Sequence, residues 1–348
     1  MIPILYPENQ VMFFDNGIGP LSDSITCKCS EILNDSYEIE LSYPVDGMYA
    51  SRIIENRIIK VKPNYFDEPQ PFRIYSVEKN EQGIISVKAA HLSYDTAGVP
   101  IMPFTSDNIE DSIGNLNANR NTFGDSLFEV SSDFAAEGGM TVEEPTSLRA
   151  LLGGNDKSLS SIYGGDFHYD WYSIELLERR GRDKGICFRS VKNVLTFNQE
   201  SNSEETYSAV FGYWKKNEDT LVYSDIVTID NSLLYEKTFI LNITSEDLGL
   251  SGSTVPTEDQ LTEYVQKYIE DRKLGRSKYS MNITYAEDDE ITKVNLGDTV
   301  RVLIPECFIK AVARCNKVVF DCLAERNESI ELGDVDAGLA GEIAALSD

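Results

Sequence analysis

Basic charge is scarce in this chain of 348 residues: 31 lysines and arginines face 58 aspartates and glutamates, a formal charge of −27. Such a surface repels DNA phosphate and anionic lipid, so binding to either by bulk electrostatics is not expected. Histidine is scarcer still, with only His91 and His168. There is no H-E-x-x-H, no C-x-x-C, and no histidine at zinc spacing from any of the six cysteines. Cys27, Cys29, Cys187, Cys307, Cys315 and Cys322 are therefore expected to be reduced, small apolar side chains. No apolar run approaches the roughly 18 residues that span a bilayer. Met1 to Tyr6 has neither the basic region nor the apolar core of a signal peptide, and none is expected. The glycine pairs at 138–139, 153–154 and 164–165 precede no GK[ST] and form no GxGxxG, so they read as turns and caps, not phosphate cradles. Tandem repeats of short period and low-complexity tracts are also lacking.

What is present is a globular composition: 41% hydrophobic residues, with 15 Phe and 18 Tyr. The length predicts two to four domains at roughly 100–200 residues each. Residues 1–95 read as antiparallel β. Tyr37, Ile39 and Leu41 alternate with Glu38 and Glu40, Asn34-Asp35 signals a turn, and Cys27 and Cys29 point to one face. Phe72 to Lys79 and Ile84 to Ala89 flank the hairpin loop Asn80 to Gly83. Short strands at this spacing predict a first small β-barrel over 1–95.

Residues 96–195 read as an α+β domain. Ile109, Ile113 and Leu116 form a helical stripe after a cap at Ser106-Asp107, and Thr146-Ser147 caps a second helix that Gly153-Gly154 stops. An aromatic strand, Phe167 to Tyr172, follows Gly164-Gly165. The charged turn Glu178 to Lys184 then closes a hairpin onto Ile186 to Val191. Strands return at 196–245 and 293–333, the expected second barrel. The helix-containing insert 246–292 interrupts it, with a capping box at Thr257 and Gln260 and an apolar stripe of Leu261, Tyr264, Val265, Tyr268 and Ile269. Residues 334–348 read as the start of a helical connector that continues outside this chain.

No candidate catalytic set survives comparison with its structural reading. His91, Ser93 and Asp95 are a strand end followed by a turn, without G-x-S-x-G. Asp166, His168 and Asp170 share one strand face and could ligate a metal, yet no third ligand type is locatable, and a polar face at a subunit or domain seam is preferred. The acidic runs Glu143-Glu144, Glu204-Glu205 and Glu287 to Glu290 carry little information among 58 acids. No cofactor, metal site or catalytic residue is expected. The candidates for a subunit interface or ligand contact are Phe167, His168, Tyr169, Trp171, Arg179, Arg180 and Arg182. There the aromatics could stack sugars or bases, and the basic tip, with Lys184, is read as meeting an acidic surface of a neighbouring subunit.

Several segments, in order, resemble the prophage endopeptidase tail family, also called phage minor structural proteins. They are SITCKCSEILNDSYEIELSYPVDG, PFRIYSVEKN, IISVKAAHLSYD, TYSAVFGYWKKNED, PTEDQLTEYVQKYI, LGDTVRV and LAERNESIELGD. The densest is TSLRALLGGNDKSLSSIYGGDFHYDWYSIELLERRGRDKG. The resemblance spans roughly 20 to 333 and implies a baseplate hub at the tail tip: a multidomain, β-rich α+β fold with two small antiparallel β-barrels. Three copies would then mimic the sixfold tail tube. It implies a homotrimer meeting the distal tail protein, tail tube, tape-measure protein and a tail fibre or lysin module, with DNA only in transit and no membrane insertion. It also implies a virion tail-tip location after assembly in the host bacterial cytoplasm. The peptidase module of lytic relatives lies downstream of this region, so no enzyme is expected here. The alternatives are a peptidoglycan-hydrolysing tail-associated endopeptidase, the hub of a bacteriocin-like injection particle, or a carbohydrate-binding tip.

Overall fold

The computed structural model describes residues 1–122, 124, 126–155, 157–190, 192–202, 207–217, 220–229, 237–245, 247–250, 254–272, 274, 278–285 and 293–333. The expected connector at 334–348 and the acidic runs at 204–205 and 287–290 lie outside them. The chain is rich in strands, with few helices, and divides into two compact units. One unites Met1–Asn198 with Met281–Gly333; the body of the other is Gln199–Ser280.

The first unit opens with β1 (Ile4–Tyr6), β2 (Gly19–Pro20), β3 (Thr26–Ile32), β4 (Tyr37–Pro44), β5 (Ile58–Val61), β6 (Gln70–Lys79) and β7 (Ile84–His91). Period-two patterning sets their faces: Tyr37, Ile39, Leu41 and Tyr43 are all buried, as are Cys27 and Cys29 on the paired strand. Asn34 turns the chain in the left-handed region (φ 58°), and the β6–β7 hairpin closes through Asn80 N–H to the Ile84 carbonyl at 3.0 Å.

The middle block holds β8 (Pro100–Ile101), β9 (Phe104–Thr105), α1 (Ile109–Ala118), β10 (Glu129–Ser132), β11 (Thr141–Val142), β12 (Thr146–Ser147), α2 (Leu148–Leu152), α3 (Leu159–Tyr163), β13 (Asp166–Asp170), β14 (Ser173–Leu177) and β15 (Asp183–Arg189). Ser147 caps α2 as its position predicts, accepting from Ala150 N–H at 3.3 Å. The cap of α1 differs from expectation. Asn108 does it, accepting from Asp111 N–H at 2.9 Å. Ser106 is drawn inward instead, its hydroxyl 2.6 Å from that of Ser112.

After β16 (Val194–Asn202), the second unit comprises β17 (Ala209–Asn217), β18 (Thr220–Thr228), β19 (Thr238–Asn242) and α4 (Glu258–Arg272). Its sheet runs β18-β17-β19, and α4 covers one face through Leu261 and Val265 against Val210, Trp214 and Ile243. Gly212 permits that approach: a Cβ there would lie 2.6 Å from Val265 Cγ2. The capping box forms as read, Thr257 N–H donating to Gln260 Oε1 at 3.0 Å and Gln260 N–H to Thr257 Oγ1 at 3.3 Å.

Four strands follow: β20 (Lys278–Tyr285), β21 (Thr299–Ile304), β22 (Ile309–Asp321) and β23 (Arg326–Gly333). They join the first unit's sheet, which runs β20-β23-β22-β3-β4-β7-β6-β5-β1-β2, each neighbouring pair antiparallel. The 13-residue β22 is the junction. On one edge its residues 309–314 pair with β21 and its residues 317–321 with β3, while β23 lines the other edge.

Candidate functional site

The aromatic segment is placed differently from the expected hairpin. β13 pairs with β14, in register from Asp166↔Leu177 to Asp170↔Ser173, and Trp171 and Tyr172 are the turn. Trp171 adopts φ 53°, a conformation that costs energy outside glycine and needs support. Support comes from the start of β6. Gln70 Oε1 accepts the Trp171 backbone N–H at 2.8 Å, and the indole N–H donates to the Pro69 carbonyl at 3.0 Å. The strand expected at Ile186 is β15, which pairs in parallel with β21 instead. Glu178 to Arg182 is thus a connection between sheets rather than a hairpin tip, and Asp183 and Lys184 already belong to β15. The sequence signal for the turn was hidden because neither central residue is a glycine or asparagine.

The connection is stapled to the main sheet by charge. Arg180 is buried; its Nη1 meets Glu31 Oε1 at 2.6 Å and the Phe167 carbonyl at 3.0 Å. Burial opposes the Arg180 charge, yet Glu31 outweighs it and holds the guanidinium above its ordinary range. Asp166, also buried, accepts Arg180 N–H at 2.7 Å and pairs with Arg314 of β22, which also donates to the Arg180 carbonyl at 2.9 Å. Asp298, in the turn before β21, accepts from Arg182 N–H at 2.9 Å, Lys184 Nζ at 2.7 Å and Asn295 N–H at 2.8 Å. Here two glycines touch: a Cβ on Gly181 (φ 74°) would lie 2.1 Å from the Gly297 carbonyl carbon. At the other end Asn34 Oδ1 accepts Phe167 N–H at 2.8 Å and its Nδ2 donates to the Gly165 carbonyl at 2.9 Å.

The seven candidates therefore divide. Phe167 and Tyr169 are buried, and burial pushes the Tyr169 hydroxyl up to about 12. Arg180 is buried in its ion pair. Arg179 and Arg182 are exposed, Arg179 reaching the Thr299 hydroxyl. Trp171 is half-buried, its ring 5.3 Å from Phe13 and 5.4 Å from Phe14. His168 is half-buried, with Nδ1 3.0 Å from Glu175 and Nε2 3.7 Å from Asp67. The neighbouring Asp67 carboxylate is the main cause that raises the His168 pKa. Burial would raise the Asp67 carboxyl, but the neighbouring His168 and the hydrogen bond from Asn64 hold it below the usual range.

Asp166, His168 and Asp170 share a strand face but turn to separate partners, Asp170 to Gln70 Nε2 at 2.8 Å. Among the described residues no three His, Cys, Asp or Glu side chains are grouped to hold a metal. His91 is fully buried, stacked on Tyr37 at 4.7 Å; its Nδ1 accepts Ser93 N–H at 3.1 Å, while Asp95 turns to Arg73. Reading residues alone missed Glu31, Asp298 and Arg314. Their ion-pair partners lie more than a hundred residues away. No described helix is long and apolar enough to cross a membrane.

No family model matches the chain, and no curated protein matches it in sequence. Solved structures do. The 43 kDa tail protein of prophage MuSo2 from Shewanella oneidensis superposes with a TM-score of 0.64 at 12% identity, covering 96% of this chain and 98% of its own. Prophage tail protein gp18 from Listeria monocytogenes EGD-e gives 0.61 at 12%, covering 100% and 98%. A tail protein from Neisseria meningitidis MC58 gives 0.61 at 10%, covering 97% of each. The chain has the fold of prophage tail proteins over its length.

Proposed function

We propose that this chain is a structural hub at the tail tip of a long-tailed phage or prophage, working as a homotrimer and not as an enzyme. The observation that carries the reading is end-to-end agreement of fold with three tail proteins, two of them from prophages, each covered at 97% or more of its own length. In this reading β1–β7 make one small barrel, and residues 293–333 belong to a second; residues 209–242, expected in that same barrel, pair among themselves as β18-β17-β19. Two barrels per copy let three copies present six similar units to a sixfold tail tube. The distal tail protein and tail tube would lie on one side, with the tape-measure protein and a fibre or lysin module held nearby, and DNA would cross only in transit. An acidic channel wall would suit that passage, since like charge does not retain phosphate. The copies would assemble in the bacterial cytoplasm and end at the virion tail tip.

Electron microscopy of intact tails carrying a label on this protein tests the reading. Three copies in a ring at the distal end are expected. Copies along the shaft, or a single copy per tail, refute it. Cell-wall zymography of residues 1–348 should show no clearing.

A further inference from the structure

The segment Val11 to Phe14 exposes three of its four apolar side chains; Phe14 is 79% exposed. Its ring nevertheless stands beside Trp171, with Phe13 edge-on beneath. Together with Pro69 these rings wall a groove of about 590 Å³, a volume suited to a small group. Two carboxylates edge it. Among the described residues the exposed Glu68 carboxylate has no partner, and Asp170 spends one oxygen on Gln70 and leaves the other free. Lys60 is the cation of this lining; its ammonium donates to the Phe13 carbonyl and sits 5.4 Å over the Tyr6 ring. Burial lowers its pKa.

Exposed aromatic faces beside uncompensated carboxylates select a flat cation. A guanidinium stacks on a ring while pairing with an acid, and its weak hydration makes that exchange easy. A neutral sugar would stack as well, but it would bring no counter-charge to either carboxylate. Nucleic acid is repelled by the same carboxylates. We propose that the Phe14–Trp171 groove, with Glu68 and Asp170 at its edge, binds an arginine side chain on a basic segment of a partner protein. This goes beyond the hub reading and holds whether or not that reading does.

The test is a tryptophan-fluorescence titration of the full chain with a blocked Arg-Leu-Arg-Leu-Arg-Leu peptide, against the same peptide carrying citrulline for arginine. Trp171 is the reporter, because the other tryptophan, Trp214, is buried in the second unit. The arginine peptide should bind saturably, and the citrulline peptide about tenfold more weakly or worse. Phe14→Ala and Glu68→Gln, both at exposed side chains, should each weaken binding about fivefold or more while leaving the melting temperature unchanged. Equal binding of the citrulline peptide overturns the proposal. So does an unchanged affinity in Phe14→Ala, which separates the groove from general attraction to an acidic protein. Stronger quenching by N-acetylglucosamine oligomers assigns the groove to sugar instead. Self-association abolished by Phe14→Ala, without peptide binding, assigns it to a second copy.

Discussion

The residues between Gly165 and Asp298 behave as a set of mutual obligations, and single changes there have calculable costs. Glu31→Gln removes the counter-charge of a buried arginine. Equilibrium urea unfolding should show a loss of about 3–5 kcal/mol, because the guanidinium stays buried and unpaired. Gly181 and Gly185 share φ 74° but not surroundings: Gly181 lies against Gly297, while space around Gly185 is open. Gly185→Ala should therefore cost about 1–2 kcal/mol for the left-handed backbone alone, and Gly181→Ala clearly more, in the same unfolding experiment. Both glycines could be read as turn residues from sequence; which one another backbone presses against could not, since Gly297 is 116 positions away.

The two histidines have opposite pH signatures. Burial pushes the His91 pKa down from 6.5 to about 3, so the unfolded chain takes up a proton that the native state refuses, and stability is lost as pH falls from 6.5 towards 3. His168 is raised above 6.5, so its contribution is fully present below 6.5 and is lost as pH rises through its folded value. Melting temperatures across pH should show His91→Gln flattening the acid limb. They should show His168→Asn costing most just below pH 6.5 and progressively less as pH rises above it.

Elements with a short-range code were legible, and those fixed by distant partners were not. The helix Glu258–Arg272 was readable from Thr257, Gln260 and the spacing of Leu261 and Val265, and the structure uses each as its position predicts. Its two contributions differ in size. Thr257→Ala should cost about 1 kcal/mol through the lost cap, and Leu261→Ala about 2–5 kcal/mol through a core cavity, both by thermal denaturation. The alternation in Tyr37–Pro44 was equally plain. The aromatic run 167–172 was misread because composition marks a strand but not its end. The chain turns at Trp171, where Gln70 and Pro69, a hundred residues earlier, supply the hydrogen bonds that make a left-handed tryptophan tolerable. The Val11–Phe14 groove gave no signal either, since its four apolar residues have neither strand nor helix period.

At the scale of the whole molecule, net charge governs how copies meet. Copies carrying −27 repel one another, so any self-association must rely on apolar or well-paired surfaces and should strengthen with salt. Raising NaCl from about 0.01 M to about 0.15 M shortens the Debye length from about 30 Å to about 8 Å. Light scattering should then show larger oligomers at the higher salt; smaller ones would mean that copies are held by opposite charges. Sheet order was beyond the sequence, because nothing local announces that Lys317–Asp321 will hydrogen-bond the strand that begins at Thr26. The long strand Ile309–Asp321 has a mechanical corollary. A pull along it is resisted at once by ladders to three neighbours, in shear, so bonds must fail together rather than peel singly. A particle that must transmit an axial load would find its stiffest member there.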